Sequence, residues 1–316
     1  MRYRLFLALA LVVATQAHAG LQRGLQLKVD GTVRHYDLYL PDHATSDTRP
    51  LVILYHGHMG DSDVMTGAND RPAPYKLWLK LAQRNNFIVA IPTGDKGIDG
   101  YRGWNDCRAD TTTNPTSDDV AFTLQLIEAI NQQTPVDRHR IYATGTSNGG
   151  NMAIRLAMEV PEKFAAVAAI VASNPVKNKC KQTRKPISIL FMNGTADPLL
   201  PYQGGQVGKQ SAGRGLAMSV QDTLRYWRDV DKTESQPSVY NFPDIETHDE
   251  SVVTRYIYKN AQHGTEVVLY KVKNGGHSEP SREEKYGWLY KQIVGRQNHD
   301  IEMAEEVWAF FRDKTN

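Results

Sequence analysis

Gly145-Thr146-Ser147-Asn148-Gly149-Gly150 places a serine between two glycines, the spacing of a hydroxyl nucleophile carried on a sharp turn. A serine hydroxyl attacks a carbonyl carbon only when a base removes its proton, and an imidazole base needs an acid to orient it. Two later segments offer these partners. Asn193-Gly194-Thr195-Ala196-Asp197-Pro198 carries an acid, and Asn274-Gly275-Gly276-His277 carries a base. The three together have the composition of a covalent acyl-transfer site.

Such a site also needs donors for a developing oxyanion. The amide of Asn148, which follows the serine, supplies one. His56-Gly57-His58-Met59-Gly60 follows an early apolar run, and the His58 amide supplies the second. On this reading the imidazoles of His56 and His58 are scaffolding. A competing reading takes His56 and His58, followed by Asp61 and Asp63, as ligands of a metal-dependent hydrolase. The spacing does not fit His-x-His-x-Asp-His, and no second histidine cluster follows. No metal or other cofactor is therefore expected. Glu279 stands too near His277 in sequence to orient its ring, and His139, His248, His263 and His299 are expected at the surface.

The elements that position these residues come from apolar periodicity. Strands are predicted over 33–40, 51–55, 87–91, 140–144, 165–171, 187–192 and 266–272, mostly as continuous apolar runs buried on both faces. Helices alternate with them. Asp118 and Asp119 begin one, and Met152, Leu156 and Val160 stripe the next until Pro161. Ser219 with Asp222 caps a third, and Asp300 opens the last, through Met303, Val307 and Phe310. Alternation of this kind predicts an α/β architecture, a mostly parallel central sheet with helices on both faces. Ser147, Asp197 and His277 then fall on loops at the carboxyl ends of strands, where ligands bind in such sheets. Their order along the chain is that of the α/β-hydrolase fold.

The first nineteen residues read as a secretory leader: Arg2 and Arg4, an apolar run from Leu5 to Ala14, and Ala17-His18-Ala19 before Gly20. Residues 20–316 are expected to form one catalytic domain, secreted or periplasmic, with no membrane anchor after cleavage. The 37 basic residues balance the 35 acidic ones once Arg2 and Arg4 are removed. A neutral surface has no long-range field for nucleic acid. Cys107 and Cys180 are 73 positions apart, and pairing them would stabilise an exported fold by about 4 kcal/mol. Nothing in the sequence specifies an oligomeric state.

From about Gly31 onward the chain resembles the secreted polyhydroxybutyrate depolymerase and feruloyl esterase family. The resemblance rests on Arg102-Gly103-Trp104-Asn105, Tyr142 to Gly150, Gly194-Thr195-Ala196-Asp197-Pro198, Gly275-Gly276-His277 and the stretch from Asp300 to Phe311. It implies a serine carboxylesterase working through an acyl-enzyme on a small or oligomeric ester. Ser147 would attack, His277 shuttle the proton, Asp197 fix the imidazole and Trp104 line the acyl pocket, unless that indole is a buried structural residue. Two departures bear on specificity. Ser278-Glu279-Pro280 stands where the family often has Trp-Pro, and Cys107 is followed by Arg108 rather than a second cysteine. With no polymer-binding module following, soluble esters are expected over solid polyester. A non-catalytic binding protein on the same fold is the other alternative.

Overall fold

The computed structural model describes residues 19–42, 47–208 and 213–316. Residues 1–18 of the expected leader and residues 209–212 of the glycine-rich 204–215 stretch lie outside that description.

A ten-stranded sheet runs through the protein. In chain order its strands are β1 (Gly20–Val29), β2 (Thr32–Leu40), β3 (Arg49–Tyr55), β4 (Ile88–Thr93) and β5 (Val136–Thr146). Then come β6 (Ala166–Ile170), β7 (Ser188–Gly194), β8 (Ser238–Asn241), β9 (Val252–Lys259) and β10 (Glu266–Lys273). Their spatial order is β1-β2-β4-β3-β5-β6-β7-β10-β9-β8. The strands from β4 to β10 pair in parallel, and the two strands at each edge are antiparallel additions. Every residue of β3, β4, β6 and β7 is buried, which is what makes their sequences continuous rather than alternating.

Among the described residues seven α-helices surround the sheet: α1 (Ser62–Thr66), α2 (Leu77–Asn85), α3 (Asp119–Gln133), α4 (Asn148–Glu159), α5 (Val220–Asp231), α6 (Trp288–Val294) and α7 (Met303–Phe311). One core layer joins Phe122 of α3, Met152 of α4 and Trp227 of α5 to Leu51, Ile53 and Phe191. The other joins Trp78 of α2 and Trp308 and Phe311 of α7 to Val52, Leu54 and Tyr142. In that second layer Tyr142 and Phe311 stack at 4.8 Å, and Phe87 and Trp308 at 4.1 Å. Helices thus cover both faces of a mostly parallel sheet, the predicted α/β-hydrolase arrangement.

The caps at Asp118 and Ser219 form as expected. Asp118 Oδ1 accepts from the Val120 and Ala121 amides, and Ser219 Oγ accepts from the Asp222 amide. The last helix differs, starting at Met303 rather than Asp300. Asp300 Oδ1 instead accepts from the Ile245 and Glu246 amides at 2.7 and 3.1 Å, so its carboxylate serves a distant loop.

Candidate active site

Ser147 sits between β5 and α4 with φ 55° and ψ −117°, a backbone region that a non-glycine residue enters only under strain. Neighbouring backbones hold it there. Its amide donates to Ile170 O at 2.8 Å, and its carbonyl accepts from the Asn151 amide at 2.9 Å. Glycine is required at position 149 because a Cβ there would overlap the Tyr55 and His56 carbonyl oxygens. The close packing of the elbow against the end of β3 is what these glycines permit.

Asp197 and His277 follow β7 and β10, which are adjacent parallel strands. Their loops are laced together: the Ala196 amide donates to Gly275 O at 2.9 Å, and the Asn274 amide donates to Thr195 Oγ1 at 2.8 Å. Asp197 Oδ2 accepts from His277 Nδ1 at 2.7 Å. Its other oxygen, Oδ1, accepts from the amides of Leu199 and Leu200 at 2.8 and 2.7 Å. Both oxygens of a buried carboxylate are therefore satisfied, and its orientation is fixed by backbone. With Nδ1 donating to Asp197, His277 Nε2 is left as the basic nitrogen. Among the described residues Ser147 Oγ makes no hydrogen bond to His277 Nε2, a contact that commonly tightens only around substrate.

The loop after β3 carries the other half of the site. His56 is fully buried; its Nε2 accepts from the Gly94 amide at 2.9 Å, and its Nδ1 donates to Gly57 O at 2.7 Å. Burial drives its pKa down to about 4, so the ring is neutral and structural. His58 Nε2 is 3.0 Å from Asp99 Oδ2. Burial lowers the His58 pKa, and the positive charge of Arg214 is the next largest cause. The Met59 and Gly60 amides are occupied by Arg102 O and Gly57 O, whereas those of His58 and Asn148 have no partner among the described residues. Asp61 Oδ1 caps α1 through the Val64 amide. His56 and Asp61, two of the four residues of the metal reading, are thus committed to backbone.

Trp104 is not a wall of an acyl pocket as placed, because its side chain is fully buried. Its Nε1 donates to His56 O at 2.8 Å, and its ring meets Tyr55 edge-on at 5.0 Å. It joins the loops after β3 and before α3, the structural alternative for a Trp-Asn loop. Sequence reasoning also missed the side chain of Asn148. Its Nδ2 donates to Asp106 Oδ2 at 2.8 Å, and Asp106 in turn pairs with buried Arg108 at 2.6 Å. The Asp-x-Arg pattern that could have signalled this is no more than two charges flanking a cysteine. Cys107 between them is disulfide-bonded to Cys180, with Cα atoms 5.3 Å apart.

Two other expectations divide. Glu279 is buried and accepts from Tyr286 Oη at 2.6 Å, with Asp197 taking His277. His139, His248 and His263 are exposed, but His299 is buried, its Nδ1 donating to Ser281 O at 2.7 Å. Its loop position concealed that burial, because Ser281 arrives from a different segment.

A family profile described as Esterase PHB depolymerase matches residues 34–198. Feruloyl esterase B of Piromyces equi is 30% identical over 256 residues, which is 78% of this chain and 43% of that protein. Feruloyl esterase C of Emericella nidulans is 30% identical over 176 residues, 54% of this chain and 58% of its own length. The chain therefore spans less than two thirds of either relative. Among solved structures, an acetyl xylan esterase from Aspergillus awamori superposes with a TM-score of 0.54 at 15% identity, covering 88% of this chain and 99% of that one. An α/β-hydrolase fold, the elbow and the profile match converge: the chain belongs to the Esterase PHB depolymerase family.

Proposed function

We propose that this protein is a secreted or periplasmic serine carboxylesterase that cleaves soluble or oligomeric esters through an acyl-enzyme. The observation that carries the reading is the 2.7 Å bond from His277 to Asp197, a carboxylate held by two further amides, on loops that follow parallel strands of the same sheet as the serine elbow. Ser147 Oγ forms a bond to the ester carbonyl carbon while His277 Nε2 takes its proton. The carbonyl oxygen becomes an oxyanion, for which the amides of His58 and Asn148, without a partner among the described residues, are the donors. Collapse breaks the carbon–oxygen bond to the alcohol, which leaves with the proton from His277. Water, deprotonated by the same nitrogen, then attacks the acyl-serine and releases the acid.

Feruloyl and acetyl esters are the first substrates to try, since the relatives named above carry those names; hydroxyalkanoate oligomers are the third. Export is supported by the basic and apolar pattern of residues 1–19 and by the disulfide. Among the described residues, no helix is long and apolar enough to cross a membrane. Replacing Ser147 with Ala is the test: p-nitrophenyl acetate turnover should vanish with the thermal melt retained.

A further inference from the structure

The loop between β7 and α5 returns alongside the Trp104 segment, and its backbone there is pinned on both sides of Arg214. Thr112 donates its amide to Gly213 O at 2.8 Å, and the Leu216 amide donates to Asp110 Oδ2 at 3.1 Å. Arg214 O itself accepts from Arg108 Nη1 at 2.8 Å. Arg108 is held by Asp106, and Asp106 by Asn148, so two side chains separate the Arg214 backbone from the residue that follows Ser147.

The Arg214 guanidinium is treated differently from its neighbours. Arg34, Arg108 and Arg155, all sheltered from solvent, each hold a carboxylate: Asp119 at 2.7 Å, Asp106 at 2.6 Å and Glu159 at 2.9 Å. Arg214 is half-buried, yet among the described residues its side chain makes no hydrogen bond or ion pair. The residues outside the description contain no Asp or Glu to supply one. Burial lowers its pKa; Asp99 opposes that and Arg108 adds to it. Asp99 is already engaged, with Oδ2 at 3.0 Å from His58 Nε2 and Oδ1 accepting the Tyr101 amide. A desolvated arginine is ordinarily paired.

Its positive charge lowers the His58 pKa, second only to burial as a cause. A Cβ on Gly103 would lie 3.2 Å from His58 Nδ1 and 2.9 Å from Asn148 Oδ1, so His58, Gly103 and Asn148 pack together.

We propose that Arg214 is an anion subsite of the esterase site and receives a carboxylate that the substrate carries away from the scissile bond. A guanidinium meets a carboxylate through two parallel hydrogen bonds, and partial desolvation strengthens the pair. The substrate class is then a monoester of a dicarboxylic acid, or an oligomeric hydroxy acid with a free acid end. This rests on the Ser147 reading of the site.

The test compares p-nitrophenyl hemiadipate and hemisuberate with the hexanoate and octanoate, as the ratio of kcat/KM for charged over neutral ester. Arg214→Gln should lower that ratio by about tenfold at the better chain length, mainly through KM, with Arg214→Lys in between. A fall of less than about threefold overturns the proposal. In the unsubstituted protein the same ratio should drop between about 20 mM and about 0.5 M salt, and a flat ratio overturns it without any variant. Neutral-ester turnover that survives Ser147→Ala would sink the serine mechanism instead. Turnover that needs Ser147 while the ratio ignores Arg214 sinks only the subsite.

Discussion

Asn148 and Trp104 are bound to each other twice. Asn148 Oδ1 accepts from the Trp104 amide at 2.6 Å, and its Nδ2 donates to Trp104 O at 3.1 Å. The residue after Ser147 therefore fastens the 103–106 segment with its side chain, while in the proposed mechanism its amide is an oxyanion donor. Asn148→Ala keeps the amide but leaves buried backbone groups of Trp104 unpaired, at a cost of about 1–3 kcal/mol. A lower melting temperature is expected, together with a kcat loss of about tenfold to a hundredfold from loosened geometry. Unchanged kcat and melting would contradict the fastening.

Asp197→Asn retains an oxygen for the Leu199 and Leu200 amides but turns an NH2 group toward His277. The imidazole must then present a lone pair at Nδ1 and a proton at Nε2, the wrong tautomer for a base. A kcat loss of about 10⁴ is expected with little change in melting. A loss below about tenfold would move the acid's role elsewhere, with Glu279 as the first residue to substitute.

The interior strands were legible because burial on both faces leaves a continuous apolar run, as in Val52-Ile53-Leu54 and Ala166 to Ile170. The elbow, acid loop and base loop were legible because glycine and charge must stand at fixed places after those strands. The sheet edges were not. All four residues of β8 are exposed, and β1 is buried only at Val29, so neither has a clear apolar pattern. Trp104 was ambiguous because a Trp-Asn loop looks alike whether its indole faces substrate or the core. Asp300 imitated a helix cap because its real partners, the Ile245 and Glu246 amides, lie far away in sequence.

Asp231, at the end of α5, gives a pH signature independent of catalysis. It is fully buried; Oδ1 accepts from the Ile187 amide at 2.8 Å, and Oδ2 has no partner among the described residues. Burial pushes its pKa up to about 7. Between about pH 4 and 7 the folded chain then holds a proton that the unfolded chain has lost, so this group's contribution to stability falls as pH rises. Asp231→Asn removes the titration. Its stability relative to the unsubstituted protein should grow by roughly 1 kcal/mol per pH unit across that window. Denaturant melts at three pH values check this, and a constant difference would contradict it.

Covalent labelling tests Ser147 as the nucleophile most directly. The protein should be treated with an organophosphonate and analysed by intact mass and peptide mapping, alongside Ser147→Ala and a chelator control. One phosphonyl adduct on Ser147 is expected, with loss of p-nitrophenyl acetate turnover in step with labelling, no label on the variant and no effect of chelator. Turnover that persists in Ser147→Ala, or that is abolished by chelator while the phosphonate leaves it intact, would contradict it.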